Sequence, residues 1–469
     1  MFRFRRTLAI AAGKAVILLS RLLGNQGTDF PGRIARRIDP DILKDLAGNI
    51  QKEIIVVTGT NGKTTTTNMI AAMIAEKQES YVHNQAGANM MTGITTAFIQ
   101  STNLLGNKPM NYGLLETDEA NVPHLLKELT PQYILITNFF RDQLDRYGEL
   151  DHTIRLIKEA VKDTSIELVL NADDPLVSNF QDETGLHCWY YGFDKTPYDS
   201  QSSDESREGR FCIVCGSELQ YDRFHYAQLG KFHCPQCGNT NPKRHFTAGD
   251  LEMNPTLRFK VDEVSVSSSY QGFYNAYNIL AAVSLCSLLE ISGDIIERAI
   301  LNYQPRAGRM EHFVIDGKRV VLILVKNPTG LNQSLSILLQ DPSAKNVFMA
   351  LNDNAADGRD ISWIWDAEVE MINHPDAGVQ CFVASGQRSG DMAVRVKYAG
   401  VSKENIILET SLEKGIQRVI EKDSERSYVL STYTALFECR KILSALQRHS
   451  KPHEPSFNDR REKVKDGGE

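Results

Sequence analysis

Residues 54–67 constrain this chain more than any other stretch. Ile54-Ile55-Val56-Val57 is a short β-branched apolar run, the pattern of a strand buried in a parallel sheet. Thr58-Gly59-Thr60-Asn61-Gly62-Lys63-Thr64-Thr65 follows at once, and Thr66 to Ile74 reads as a helix. Strand, glycine-rich turn and helix in that order aim backbone N–H groups and a helix N-terminus at one point, where phosphate oxygens bind. Lys63 would reach the outer phosphates of ATP, and the Thr64 hydroxyl would hold magnesium. The loop is shorter than the general G-x-x-x-x-G-K-[ST] pattern, because Val57 stands five residues before Gly62.

At 469 residues the chain has room for roughly two to four domains. A net charge of −7 argues against a general nucleic-acid binder. The charge is uneven, with nine Lys/Arg against four Asp in residues 1–50. Arg3, Arg5, Arg6, Lys14 and Arg21 surround the apolar runs 8–12 and 15–19, in outline like a signal peptide. Lys14 interrupts the run, which falls short of the roughly 20 residues that span a bilayer. Residues 1–48 therefore read as a basic amphipathic helical segment. It either rests on an anionic membrane surface or packs on the next domain.

Eight cysteines are too few for a disulfide scaffold of this length. Cys212-x-x-Cys215 and Cys234-x-x-Cys237, 18 residues apart and each pair followed by glycine, form the pattern of a structural zinc ribbon over 205–245. Four thiolates leave no open position, so the zinc would not be catalytic. Free thiols, a disulfide pair or an iron–sulfur centre are the other readings.

The loop T-G-T-N-G-K-T-T resembles that of the Mur ligase family, ATP-dependent amide-forming enzymes. Leu114 to Ala120 resembles the family's acidic strand end, with Glu116 matching a magnesium ligand and Asp118 and Glu119 as close competitors. Ile134 to Asn138, Arg141 to Gly148 and Leu168 to Pro175 match the following segments. Gly272 to Ala282 resembles the helix whose asparagines, here Asn275 and Asn278, approach adenine; helix packing is the plainer reading. Arg306, Gly308, Arg309 and Glu311 resemble a G-R-x-E element, implying that Arg309 contacts phosphates or else forms an interface ion pair.

Gln143 stands where the family has a metal-binding histidine, Lys158 lies near the place of a carbamylated lysine, and only about 50 residues precede the loop. With the four-cysteine insert, the segment Lys326 to Gln333 and the stretch Asp357-Gly358-Arg359-Asp360-Ile361-Ser362-Trp363, these departures resemble one branch of the family. That branch is the ligase-like subunit that amidates the stem peptide of lipid II with a GatD-like glutaminase partner. The resemblance implies ATP activation of the D-glutamate α-carboxylate, ammonia from the partner, and a D-isoglutamine product. It also implies an aspartate completing a Cys-His-Asp set with the partner, Asp357 first and Asp360 second. A reducing cytoplasmic setting, at the inner face of the plasma membrane, follows.

The predicted fold is α/β throughout. A Mur ligase-like ATP-binding domain spans 49–312 and carries the zinc ribbon. A Rossmann-like α/β domain spans 313–449, with strands at 319–324, 346–351, 380–384 and 427–431. The composition of 450–469 predicts a disordered tail. Two other functions fit the loop alone: a ligase that joins an amino acid to a carboxylate, as in folylpolyglutamate synthesis, and a non-catalytic ATP-binding scaffold.

Overall fold

The computed structural model describes residues 2–22, 27–84, 88–141, 150–201, 208–253, 256–304 and 309–450. The chain divides into two compact units, Met1–Gln304 and Pro305–Glu469.

The first unit opens with helices α1 (Phe2–Leu22), α2 (Phe30–Ile38) and α3 (Ile42–Ala47). Ala9, Ile10, Ala35, Ile42 and Leu46 join the same apolar core as Val56 and Leu115. Two polar ties hold this corner: Gly32 N–H donates to Thr96 Oγ1 at 2.8 Å, and Arg36 grips Glu128 through two nitrogens at 2.8 and 2.6 Å. Helices α1, α2 and α3 are therefore built into the first unit.

Next come β1 (Ile54–Thr58), α4 (Lys63–Glu76), β2 (Tyr81–His83), α5 (Met91–Ser101), β3 (Tyr112–Glu116), α6 (Val122–Leu125) and β4 (Tyr133–Ile136). They continue as α7 (Leu150–Val161), β5 (Glu167–Asn171), α8 (Phe180–Thr184) and β6 (Cys188–Phe193). The hairpin β7 (Gln220–Tyr226) and β8 (Leu229–His233) interrupts the order. Then follow β9 (Phe246–Glu252), β10 (Leu257–Val261), β11 (Val264–Ser268), α9 (Phe273–Leu288) and α10 (Gly293–Leu301).

Nine strands form one sheet in the order β11-β10-β9-β6-β5-β4-β1-β3-β2. It is parallel from β2 to β9 and antiparallel over the last two pairings. Strand β1 lies between β3 and β4, with Ile55, Val56 and Val57 fully buried, as its unbroken apolar run requires. Ligands of such sheets bind beyond the carboxyl ends of the strands, where chain order reverses. The ends of β1, β3 and β4 meet there.

The second unit holds β12 (Arg309–Ile315), β13 (Lys318–Leu324), α11 (Pro328–Gln340), β14 (Lys345–Ala350), β15 (Val379–Ser385), α12 (Ser389–Tyr398) and β16 (Ile406–Leu408). It ends with α13 (Leu412–Glu421), β17 (Arg426–Ser431) and α14 (Tyr433–His449). Its sheet runs β12-β13-β17-β14-β15-β16, parallel except for β12. Asn327 begins α11 by accepting Gly330 N–H at 2.8 Å, and Pro328 fills the first turn, where a missing N–H costs nothing. The four predicted strands appear as β13, β14, β15 and β17.

Candidate functional site

Gly59 and Gly62 shape the loop between β1 and α4. Their φ angles are +115° and +85°, and a Cβ on Gly62 would stand 1.9 Å from Asn278 Oδ1. Only glycine fits both the backbone and the space. The end of β4 laces the loop in place. Thr60 N–H donates to Asn138 O at 3.0 Å, Asn61 N–H to Asn138 Oδ1 at 2.9 Å, and Thr137 Oγ1 to Asn61 O at 2.7 Å. Asn138 is thus a loop clamp rather than turn chemistry alone.

Lys63 is buried at the start of α4. Its ammonium donates to Gly59 O at 2.6 Å and lies 3.3 Å from Glu119 and 3.5 Å from Asp118. Thr64 Oγ1 donates to Glu116 Oε1 at 2.8 Å, while Thr65 is buried in the same turn. Two buried acids therefore meet one buried lysine, and buried Glu116 meets the next residue, an excess of negative charge that suits a divalent cation beside a phosphate. Glu116 is the member bonded to Thr64, the other expected magnesium ligand. Asn84, which sequence reading missed, fixes Glu116 from the end of β2. Its Oδ1 accepts Glu116 N–H at 2.9 Å, and its Nδ2 donates to Glu116 O at 2.7 Å. A polar residue just past a strand end was its only trace in the sequence.

Asn275 and Asn278 lie on α9, and both are buried. Asn275 Nδ2 donates to Gln271 O at 2.6 Å and its Oδ1 accepts Asn278 Nδ2 at 3.2 Å. The pair presses on Gly62, so part of their work is to hold the loop. Lys158 bonds Asn179 at 2.7 Å and Glu183 at 2.9 Å and lies over the Phe180 ring, which ties α7 to the segment around α8. Asp142, Gln143 and Asp145, with Arg306 and Gly308, lie outside the described residues. The backbone of Arg309 opens β12, in the second unit.

The four cysteine sulfurs lie within 4.8 Å of one another, with Cys212–Cys237 at 3.6 Å and Cys215–Cys234 at 3.5 Å. A tetrahedron with metal–sulfur bonds of about 2.3 Å has edges of about 3.8 Å, so the set fits zinc. The N–H groups of Gly216 and Gly238 close the two knuckles on Cys212 O at 2.8 Å and Cys234 O at 3.0 Å. The insert also reaches into the sheet. His225, from β7, donates to Asp199 at 2.7 Å and faces Asp173 at 3.9 Å, while Arg244 holds Asp173 at 2.6 Å. Fully buried Asp173 also accepts the Phe193 N–H at 2.7 Å and the Tyr277 hydroxyl, from α9, at 2.8 Å. One side chain of the insert, Arg244, thereby braces through Asp173 the helix that seats the loop. The match over Leu168 to Pro175 included this aspartate but not its partners. His233 and His245 are engaged elsewhere, with Gln220 and the Tyr190 N–H.

In the second unit, the ends of β14 and β17 come together. Asp357 is buried and accepts the Thr434 N–H at 2.7 Å, the Thr434 hydroxyl at 2.5 Å and the Asn354 N–H at 3.2 Å. It caps α14 because the Thr432 hydroxyl, at the cap position, is taken by the Asn352 N–H at 3.0 Å. Both oxygens of Asp357 are thus used within the chain. Asp360 is half-buried and receives the Ser362 N–H at 2.8 Å on one oxygen. Trp363 is buried, whereas Trp365 is exposed and packs edge-on against Tyr398.

The loop, its acids and the parallel sheet define a Mur ligase-type ATP-binding unit. The family model for the Mur ligase middle domain matches residues 57–286, and that for the MurT ligase C-terminal domain matches 324–436. A pseudomurein peptide ligase type C from Methanothermus fervidus has the same fold at 22% identity, with a TM-score of 0.66 over 85% of this chain and 79% of that one. Over 418 residues the chain is 38% identical to the Staphylococcus aureus "Lipid II isoglutaminyl synthase (glutamine-hydrolyzing) subunit MurT", covering 89% of this chain and 93% of the relative. The Streptococcus pneumoniae subunit of the same name is 35% identical over 447 residues, 94% of this chain and 98% of that one. The chain belongs to the MurT family.

Proposed function

We propose that this chain is the synthetase subunit of a lipid II isoglutaminyl synthase, amidating the D-glutamate α-carboxylate of the stem peptide. The observation that carries this reading is the contact of Thr64 with Glu116 beside Lys63, at the mouth of a loop too narrow for any residue but glycine at position 62.

A carboxylate resists attack by ammonia because its leaving group would be oxide. Transfer of the γ-phosphoryl group of ATP to a carboxylate oxygen, with loss of ADP, makes an acyl phosphate; ammonia then forms the amide and phosphate departs. Lys63 and the N–H groups of residues 62–65 stabilise negative charge on the transferring group, and Thr64 and Glu116 would hold the magnesium that neutralises the rest. The acyl phosphate demands a water-poor site, which fits the burial of Glu116, Asp118 and Glu119.

Ammonia comes from a GatD-like glutaminase subunit, bound through the second unit. Because both oxygens of Asp357 are engaged inside the chain, the partner-facing role passes to the second candidate, Asp360. Asp357 then serves as the post that holds the 352–360 loop against α14. Cys212, Cys215, Cys234 and Cys237 hold a structural zinc. Lipid II is membrane-anchored, so the subunit works at the inner face of the plasma membrane.

The deciding assay combines the full chain, the glutaminase, lipid II, glutamine, ATP and magnesium, and reads the stem peptide by mass. Conversion of carboxylate to carboxamide is expected. Lys63→Ala and Glu116→Gln are expected to lower the rate at least about 100-fold. Absence of amidation by intact subunits, or full activity of Lys63→Ala, would overturn this function.

A further inference from the structure

The catalytic reading makes no use of the outward face of α1. This helix is apolar on two sides. Ala9, Ile10 and Ile17 point into the core. On the other side, at about 100° per residue, Phe4, Leu8, Ala11, Ala15, Leu18 and Leu22 fall within about 40° of one direction. All six are exposed, Phe4 by 77%, Leu18 by 62% and Leu22 by 75%. A surface helix ordinarily turns its polar face to water, so this stripe is set up for another environment.

Cations rim the stripe on both sides. Arg5 projects about 100° to one side, and Lys14 and Arg21 about 80–100° to the other. Lys108 lies close enough to Lys14 to act on its charge. This basic edge belongs to a chain whose net charge is −7. A second copy of the helix laid on the stripe would bring like charges together, whereas a layer of lipid phosphates over an acyl region complements both parts. No helix among the described residues is long and apolar enough to cross a membrane, which leaves a helix lying in the interface.

We propose that α1 is an interfacial anchor that lays the apolar stripe into an anionic phospholipid surface. Leucine and phenylalanine enter the acyl boundary, while Arg5, Lys14 and Arg21 reach the phosphates. This proposal goes beyond the catalytic reading and is tested without lipid II.

The full chain is sedimented with vesicles of phosphatidylglycerol and phosphatidylcholine, and with vesicles of phosphatidylcholine alone. Binding to the anionic vesicles only is expected, weakened at about 0.5 M salt. Leu8→Glu/Leu18→Glu is expected to reduce partitioning at least about tenfold while ATP binding and Tm stay unchanged. A Leu22→Trp chain, which keeps the stripe apolar, is expected to shift its fluorescence to the blue on anionic vesicles. Three results would overturn the proposal: no binding of the intact chain, equal binding of the Leu→Glu variant, or a lipid-free dimer dispersed by the same substitutions.

Discussion

At the scale of single residues, the loop depends on what surrounds it as much as on its own letters. Gly62 has a positive φ and also faces Asn278, which has no other place to go because Asn275 holds its amide. Gly62→Ala is expected to cost about 1–2 kcal/mol in backbone strain alone and to weaken ATP binding further by displacing Asn278. Calorimetric titration with ATP checks this. A Gly62→Ala/Asn278→Ala double variant recovers part of the loss, since it removes the collision but not the strain. Unchanged ATP affinity of Gly62→Ala would show that the close approach is unimportant. Sequence reading found the glycines, Lys63, Thr64 and Glu116 because each is dictated by phosphate and metal chemistry at short range. It did not find Asn84 or the clamp role of Asn138, because a single polar residue after a strand looks the same whether or not it meets a neighbour.

At the scale of elements, the four-cysteine insert is a brace as well as a module. Its own core is small, chiefly Cys212, Leu219, Phe232 and Cys234. So little apolar burial does not fold a hairpin and two knuckles without metal. Metal analysis is expected to give about one zinc per chain, and Cys234→Ser to lose it. The consequence extends to α9, because Arg244 holds Asp173 and Asp173 holds Tyr277. Chelation is therefore expected to weaken ATP binding as well as to lower Tm. A metal-free chain with full ATP affinity would confine the insert to its own fold. The cysteine spacing singled out the four sulfurs that cluster, but the link to Asp173 joins residues 71 positions apart and is visible only in three dimensions.

At the scale of the whole molecule, the two units have separable tasks, and substitutions are expected to separate them. Asp360→Asn should leave ammonia-driven amidation intact and depress glutamine-driven amidation at least about 100-fold, as expected when the residue that orients a catalytic histidine is lost. Asp357→Asn should lower both, because it weakens the cap of α14 by about 1 kcal/mol and loosens the loop beside it. Rates with ammonium chloride and with glutamine check the pair. The opposite pattern would return the partner-facing role to Asp357. The N-terminal segment carries the same lesson. Its basic, apolar character was plain, and both expected roles are compatible, since one face of α1 packs inward and the other remains exposed.

The sequence by itself determined the strand–loop–helix of residues 54–76, the four thiolates of the insert and the parallel strands of both units. Each of these follows from chemistry confined to a few neighbouring residues. Only the tertiary structure decided that Asn278 closes on Gly62, that both oxygens of Asp357 are spent inside the chain, and that α1 keeps a second apolar face outward. Those outcomes depend on which distant backbone N–H or side chain reaches a given group first, and a linear pattern does not encode that competition.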